Sequence, residues 1–387
     1  MRKPAATPDA IPDDRRAAAP VKGRGTSTQL AHRFEARTRE RDQTGWEPMQ
    51  WQPAQRPEEG PADDPFDAPP SVQPTTCRPE PARTILSRND SPDIPFTWAI
   101  NPYRGCEHGC IYCYARPTHS YLNLSPGLDF ETRLIARPGI GAVLEKELGA
   151  KAYQVAPIAL GTNTDPYQPI ERDWRVMREV LEVLRDWQHP LAITTKGVMV
   201  ERDLDILAPM AAAGLVRVGI SITTLDARLS RSMEPRVPLP ERRLAAIRRL
   251  SDAGVPVRVM VSPVIPGLTD HELEPILAAA KAAGAVAASW ILLRLPREVA
   301  PLMQGWLETH VPGRAAKVLA RIREAHGGRL YDPQFGRRMR GEGVFAELLA
   351  QRFTKAVARE GLSVPLPPLR CDLFQRPGKV GDQLALW

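Results

Sequence analysis

The chain has 387 residues, 43% of them hydrophobic and 25% charged, and a formal net charge of +7. These proportions suit a globular protein with material for a full core, and no apolar run approaches the roughly eighteen residues that a membrane-spanning helix needs. The positive balance permits an acidic partner such as nucleic acid, although an Arg-rich surface alone would give the same figure.

Residues 1–19 hold basic side chains but no apolar centre, so they do not read as a secretory signal. Fourteen of the 40 prolines fall in the first 81 residues, among Ala, Asp, Glu and Arg. Such a stretch buries too little apolar surface to offset chain entropy, which predicts a largely disordered segment over 1–80. From 81 to 296 short β-branched runs alternate with longer helical patterns. The spacing predicts strands over 96–101, 155–162, 191–195, 216–222, 257–262 and 289–293. Helices are predicted between them over 141–150, 173–187, 202–213, 240–253 and 271–283. Gly214 and Gly254 sit just past two of these helices, where a left-handed cap favours glycine. Six such units predict a parallel sheet, more simply a partial (β/α)6 barrel than a complete eightfold one. A helical extension is expected over 297–362, with helices at 301–310, 314–326 and 345–360, and a Pro-rich tail over 363–387. In such folds the chemistry gathers at the carboxyl ends of the strands.

Five cysteines are an odd number, and three of them lie within eight residues. That argues for metal ligation in a reducing cytoplasm over a disulfide framework. Cys106, Cys110 and Cys113 follow the first barrel strand with the spacing C-x3-C-x2-C and no fourth cysteine nearby. Three thiolates on a four-iron cluster leave one iron open to an outside ligand. A zinc site completed by His108 or His119 is the alternative, although structural zinc usually draws on a second, distant ligand pair. Cys77 and Cys371 stand alone and read as free thiols.

The same loop carries a resemblance. With Tyr112 before the last cysteine, the spacing resembles the signature of the radical S-adenosylmethionine (SAM) superfamily. NPYRGCEHGCIYCYARP at 101–117 is similar to the subgroup that contains spore photoproduct lyase. So are GTNTDPYQPIE at 161–171, TTKGVMVERDLDIL at 194–207, TTLDARLSRSMEPR at 223–236 and SPVIPGLTDHELE at 262–274. The similarity runs from about 81 to 362. It implies a partial barrel, a [4Fe-4S] cluster on Cys106, Cys110 and Cys113, and reductive cleavage of SAM to a 5′-deoxyadenosyl radical. An electron donor such as flavodoxin or ferredoxin is implied as a partner.

The resemblance also assigns the SAM site. Tyr112 lies against the adenine, Thr164 and Asp165 meet the amino group, and Ser221 and Thr223 lie near the carboxylate and ribose. Lys196, at the end of the third strand, offers three donors to the SAM carboxylate. Tyr112 and Tyr114 resemble the tyrosines of a radical-return path in the lyase. Glu234 and Arg236 are expected to lock their loop as a salt bridge, with orientation of the substrate as the alternative. One departure stands out: where the lyase has a hydrogen-donating cysteine after its second strand, residues 161–164 read Gly-Thr-Asn-Thr. Cluster chemistry is therefore expected, but photoproduct splitting is not. The expected substrate is a nucleic-acid lesion or nucleotide, with a peptide or small metabolite as the alternative. A zinc-stabilised nucleic-acid-binding module would be the non-enzymatic reading.

The chain ends Gln383-Leu384-Ala385-Leu386-Trp387. This looks like the bacterial sliding-clamp peptide with tryptophan in place of phenylalanine, alternating apolar anchors that suit a preformed groove. A clamp partner would bring DNA close to the enzyme.

Overall fold

The six apolar runs all become parallel strands in the computed structural model, which describes residues 21–34, 73–363 and 366–377. In chain order the strands are β1 (Thr76–Pro79), β2 (Leu86–Arg88), β3 (Trp98–Ile100), β4 (Tyr103–Arg104) and β5 (Arg133–Ala136). They continue as β6 (Ile158–Leu160), β7 (Leu191–Thr195), β8 (Val216–Ser221), β9 (Val257–Val264) and β10 (Ala287–Leu292). The main sheet runs β10-β9-β8-β7-β6-β3-β2, with β2 the only antiparallel member. The other six follow one another in chain order, each linked by a crossover, which is the partial (β/α)6 barrel expected. Register is set by apolar pairs such as Leu191 opposite Val216 and Val218 opposite Val257.

The two faces of this sheet differ in kind. Ile158, Leu160, Leu191, Ile193, Val218 and Ile220 point to the helices and are fully buried. Each such side chain contributes about 1.5–3 kcal/mol when removed from water. The helix Val176–Asp186 supplies the matching stripe, with Val176, Val180 and Leu184 buried at four-residue steps. Strand alternation puts Ala99, Ala159, Ala192, Thr194, Gly219 and Ser262 on the inner face. These are small residues, and several positions there stay partly accessible while their neighbours do not. Arg217, Arg258 and Met260 share this face, so it mixes small side chains with long ones.

A second, three-stranded sheet, β1-β5-β4, was not legible in the sequence. It buries Cys77, whose thiol burial pushes up to about 12, so this cysteine is an inert core residue. Two stretches inside the 1–80 segment are folded. Residues 73–80 include β1, and residues 21–34 lie as a strap over the cysteine loop. The helices Val299–His310 and Pro312–Ala325 share an apolar cluster with Ile111 and Tyr112. The helical extension thus backs the cysteine loop directly. The tail residues Gln383 to Trp387 lie outside the described residues.

Candidate active site

Cys106 and Cys110 are buried, Cys113 is half-buried, and all three are free thiols. The loop that carries them is held from behind by Arg116, which is fully buried. Its Nε donates to the Cys110 carbonyl at 3.0 Å, one Nη to the Gly109 carbonyl at 3.1 Å, and the other to the Gly127 carbonyl at 3.0 Å. Glu131 balances its charge and also accepts the Gly25 N–H at 2.8 Å. Gly105 and Gly109 adopt φ of +75° and +67°. A Cβ at Gly105 would stand 2.6 Å from Leu134 Cδ2, and one at Gly109 2.6 Å from Glu131 Oε2. Only glycine meets both demands there.

Burial pushes all three thiols above their ordinary range. At Cys106 the Asp165 carboxylate adds to the rise, whereas Lys196 opposes it at Cys110 and Cys113. A dry set of three sulfurs with its backbone already satisfied suits a cluster that takes thiolate ligands. Of the two histidines of the zinc alternative, only His108 is engaged by a carboxylate, and the ring nitrogens of His119 are buried without a partner. His108 Nδ1 lies 3.3 Å from Asp165 Oδ2, and His119 packs edge-on to Phe130. Among the described residues, no three His, Cys, Asp or Glu side chains are placed to share one metal ion.

Tyr112 is buried, and its hydroxyl donates to Glu234 and lies 3.1 Å from Thr223 Oγ1. Thr223 donates to the same carboxylate at 2.9 Å, and Arg243 pairs with its other oxygen at 2.7 Å. Burial alone would raise the Glu234 carboxyl. Arg243, Lys196 and the two hydroxyls outweigh it and hold the group below its usual range. Tyr112 is correspondingly held as a neutral phenol by burial and by the Glu234 charge. The salt bridge expected between Glu234 and Arg236 does not form: Glu234 takes Arg243, and Arg236 pairs with Glu107 at 2.9 Å. Glu107 in turn donates its N–H to Gln168 Oε1 at 2.7 Å, and Gln168 Nε2 reaches the Gly105 carbonyl.

The strand-end residues divide into those already engaged and one that is not. Thr164 donates to the Tyr103 carbonyl at 3.0 Å. Asp165 accepts from the Lys196 N–H at 2.7 Å and the Tyr167 N–H at 2.9 Å, and from the Thr195 hydroxyl. Burial would raise its carboxyl, but His108 and these donors hold it low. It ties the turn after β6 to the end of β7 and to the cysteine loop. The Ser221 carbonyl accepts from Arg243 Nη1 at 2.9 Å. Lys196 has no ion pair among the described residues, and its Nζ stands 5.7 Å from the centre of the Tyr112 ring. One unpaired ammonium thus faces the buried tyrosine. Tyr114 behaves differently, being 45% exposed with its hydroxyl on the Thr162 carbonyl and Arg294 4.5 Å above its ring.

Arg116, Glu131 and Arg243 were missed by sequence reasoning. Arg243 sits in the run Glu-Arg-Arg of the helix Pro240–Asp252, and nothing in the pattern separates it from Arg242. The signal for Arg116 was available: a charged residue three positions past Cys113, inside the stretch that carried the resemblance.

The sequence profile of the Radical SAM superfamily matches residues 100–280. Over 260 residues the chain is 38% identical to an uncharacterized protein of Mycobacterium tuberculosis, covering 67% of this chain and 75% of that one. It is 29% identical over 176 residues to an uncharacterized protein of Methanocaldococcus jannaschii, covering 45% and 63%. Among solved structures, a spore photoproduct lyase mutant superposes with a TM-score of 0.53 at 17% identity, covering 73% of this chain and 79% of that one. Another, with bound AdoMet and dinucleoside spore photoproduct, gives 0.52 at 17% identity, covering 73% and 78%. At that identity the likeness is one of fold. The chain belongs to the radical SAM superfamily and is an enzyme that uses a [4Fe-4S] cluster and SAM.

The strap makes this assignment testable away from the ligands. A Cβ on Gly25 would stand 1.9 Å from the Gly109 carbonyl oxygen. Gly25→Val is therefore expected to lift residues 21–34 off the loop, lower iron content after anaerobic reconstitution, and speed bleaching in air. Iron content and bleaching rate equal to the parent protein would show that the strap does not guard the cluster.

Proposed function

We propose that this enzyme applies radical SAM chemistry to a nucleic-acid strand, at a base brought to the carboxyl ends of the barrel strands. Cys106, Cys110 and Cys113 would hold the cluster, and Lys196 would meet the SAM carboxylate. When bound, the two cofactors supply one-electron, hydrogen-abstracting chemistry. The rest is the work of the chain's own residues. Glu234 and Arg243 fix Tyr112 and Thr223 as one wall, Asp165 fixes the turn after β6, and Lys196 brings an ammonium without an ion-pair partner among the described residues.

The observation that carries the choice of substrate is the pair at the mouth. Tyr114, next to Cys113, offers an exposed ring, and Arg294 covers it without an ion-pair partner among the described residues. An aromatic plane beside a guanidinium is what stacks a base and meets its phosphate in single-stranded recognition. The overall charge of +7 acts in the same direction. The solved lyase with bound dinucleoside spore photoproduct, similar in fold, lends the reading further support. Tyr114 also touches the turn that lacks the lyase's cysteine. It is the phenol within reach of a substrate, whereas Tyr112 is pinned inside.

Arg294→Ala is expected to weaken binding of a short single-stranded oligonucleotide about tenfold, as loss of one charge-assisted contact does. Iron content and SAM cleavage without substrate should stay unchanged. Fluorescence anisotropy with labelled DNA and RNA decodes the strand type. No oligonucleotide binding by the parent protein at low salt would overturn the reading and favour a peptide or small metabolite.

A further inference from the structure

The inner face of the sheet holds polar groups that the site above does not use. Arg217 on β8 and Arg258 on β9 sit on it, with Gly219 opposite Arg258 across the β8–β9 ladder. Arg217 therefore lies two positions from that cross-strand partner, on the same face, as a diagonal neighbour of Arg258. Both are half-buried, and neither has an ion pair or a hydrogen bond to another of the described residues. Arg258 Nε is wholly buried without a partner. Two hydroxyls on the same face, Ser289 on β10 and Ser262 near the end of β9, are likewise buried and unpartnered. Ser289 stands opposite Met260, one step along the face from Arg258.

Buried polar groups are almost always satisfied, so three buried atoms without a partner on one face, Arg258 Nε, Ser262 Oγ and Ser289 Oγ, mark where something else belongs. Their chemistry is uniform. Two guanidiniums donate only, each through a fork of N–H groups, and a serine hydroxyl can donate as well. No carboxylate balances the pair, and each would be stabler with an anion between them. A tetrahedral oxyanion accepts from several directions at once and matches forked donors. We propose that Arg217, Arg258 and Ser289 form a subsite for a second phosphate group of the substrate, apart from the one at Arg294, at the amino ends of the strands on the floor of the barrel. Ser221 and Ser262 end the same faces four residues further on, so the phosphate lies two to four strand steps below the reacting level, about 7–13 Å. That is the span from a nucleotide's phosphate to its own base or to the next one along.

The neighbouring cations also explain why these groups are not structural. Burial depresses both arginines, and at Arg217 the charge of Arg258 adds to it. The pair therefore costs stability until an anion arrives, a common mark of a ligand site.

The subsite rests on the sheet face alone. That its phosphate belongs to a strand rests on the nucleic-acid reading above, and the experiment separates the two. Calorimetry measures inorganic phosphate binding to the intact, cluster-loaded protein, to Arg217→Met, to Arg258→Met and to the double variant. Each single change is expected to weaken phosphate at least tenfold and the double change to abolish it. In phosphate-free buffer the melting temperature should hold or rise. Arg258→Lys, which keeps the charge, should retain part of the affinity. Undiminished phosphate binding in the double variant would overturn the subsite. So would equal losses with Lys and Met accompanied by a lower melting temperature, because that assigns the arginines to the fold. Competition by a phosphodiester dinucleotide places a strand there. Competition by a nucleoside monophosphate alone keeps the subsite and removes the nucleic-acid reading. Oligonucleotide binding that survives the double change with its affinity intact keeps that reading and overturns the subsite.

Discussion

Cys106→Ala, Cys110→Ala and Cys113→Ala are each expected to abolish cluster assembly and SAM cleavage together. All three sulfurs lie in one dry loop whose backbone Arg116 and the strap hold from behind. Losing one ligand leaves a second iron open, and His108, the histidine within the loop, is held by Asp165. The measurement is iron per chain after anaerobic reconstitution, with 5′-deoxyadenosine formed under reductant. A variant that kept full iron and full product would remove that cysteine from the ligand set. Cys77→Ser and Cys371→Ser serve as controls, since neither thiol lies in this loop, and both should keep iron and product.

The second large effect is expected at Arg116. Arg116→Met breaks a fully buried ion pair and strands the Glu131 charge, along with the carbonyls of Cys110, Gly109 and Gly127. Removing one partner of such a pair costs about 3–5 kcal/mol. A denaturant titration should show the midpoint falling accordingly, and reconstituted iron should fall with it. Adding Glu131→Gln to Arg116→Met removes the stranded charge while keeping an acceptor for the Gly25 N–H, so part of the loss should return. A midpoint unchanged by Arg116→Met would mean that the loop carries its own shape without the pair.

The parallel strands were legible because both halves of their signal survive in one chain. Apolar β-branched residues recur on the face that meets the helices, and glycine closes the helices between them. The three thiolates were legible for a different reason, since spacing within a single loop encodes the geometry directly. What stayed hidden was long-range. β4 and β5 are two and four residues long, too short for any periodic pattern, and pair Tyr103 with Ala136 and Arg104 with Ile135, far apart in the chain. The strap at 21–34 holds no proline but lies between Pro-rich stretches, and it docks through single groups such as the Gly25 N–H, which composition cannot reveal. Arg116, Glu131 and Arg243 are charged residues that read as surface until the fold buries them together. Thr164 and Asp165 were expected at SAM, and the structure shows each already holding protein atoms. Their part in the site is at least the fixing of its shape. Arg217 and Arg258 were visible as strand residues, but only the cross-strand register puts them side by side.

The central claim is that three cysteines of this loop hold a cluster that drives SAM cleavage. The most direct test is anaerobic reconstitution of the full chain, followed by iron analysis and by SAM turnover under dithionite. The account predicts about four irons per chain, the visible charge-transfer absorption of an iron–sulfur cluster, and 5′-deoxyadenosine that disappears in Cys110→Ala. A chain that took up one zinc and no iron, and left SAM intact under reductant, would contradict it.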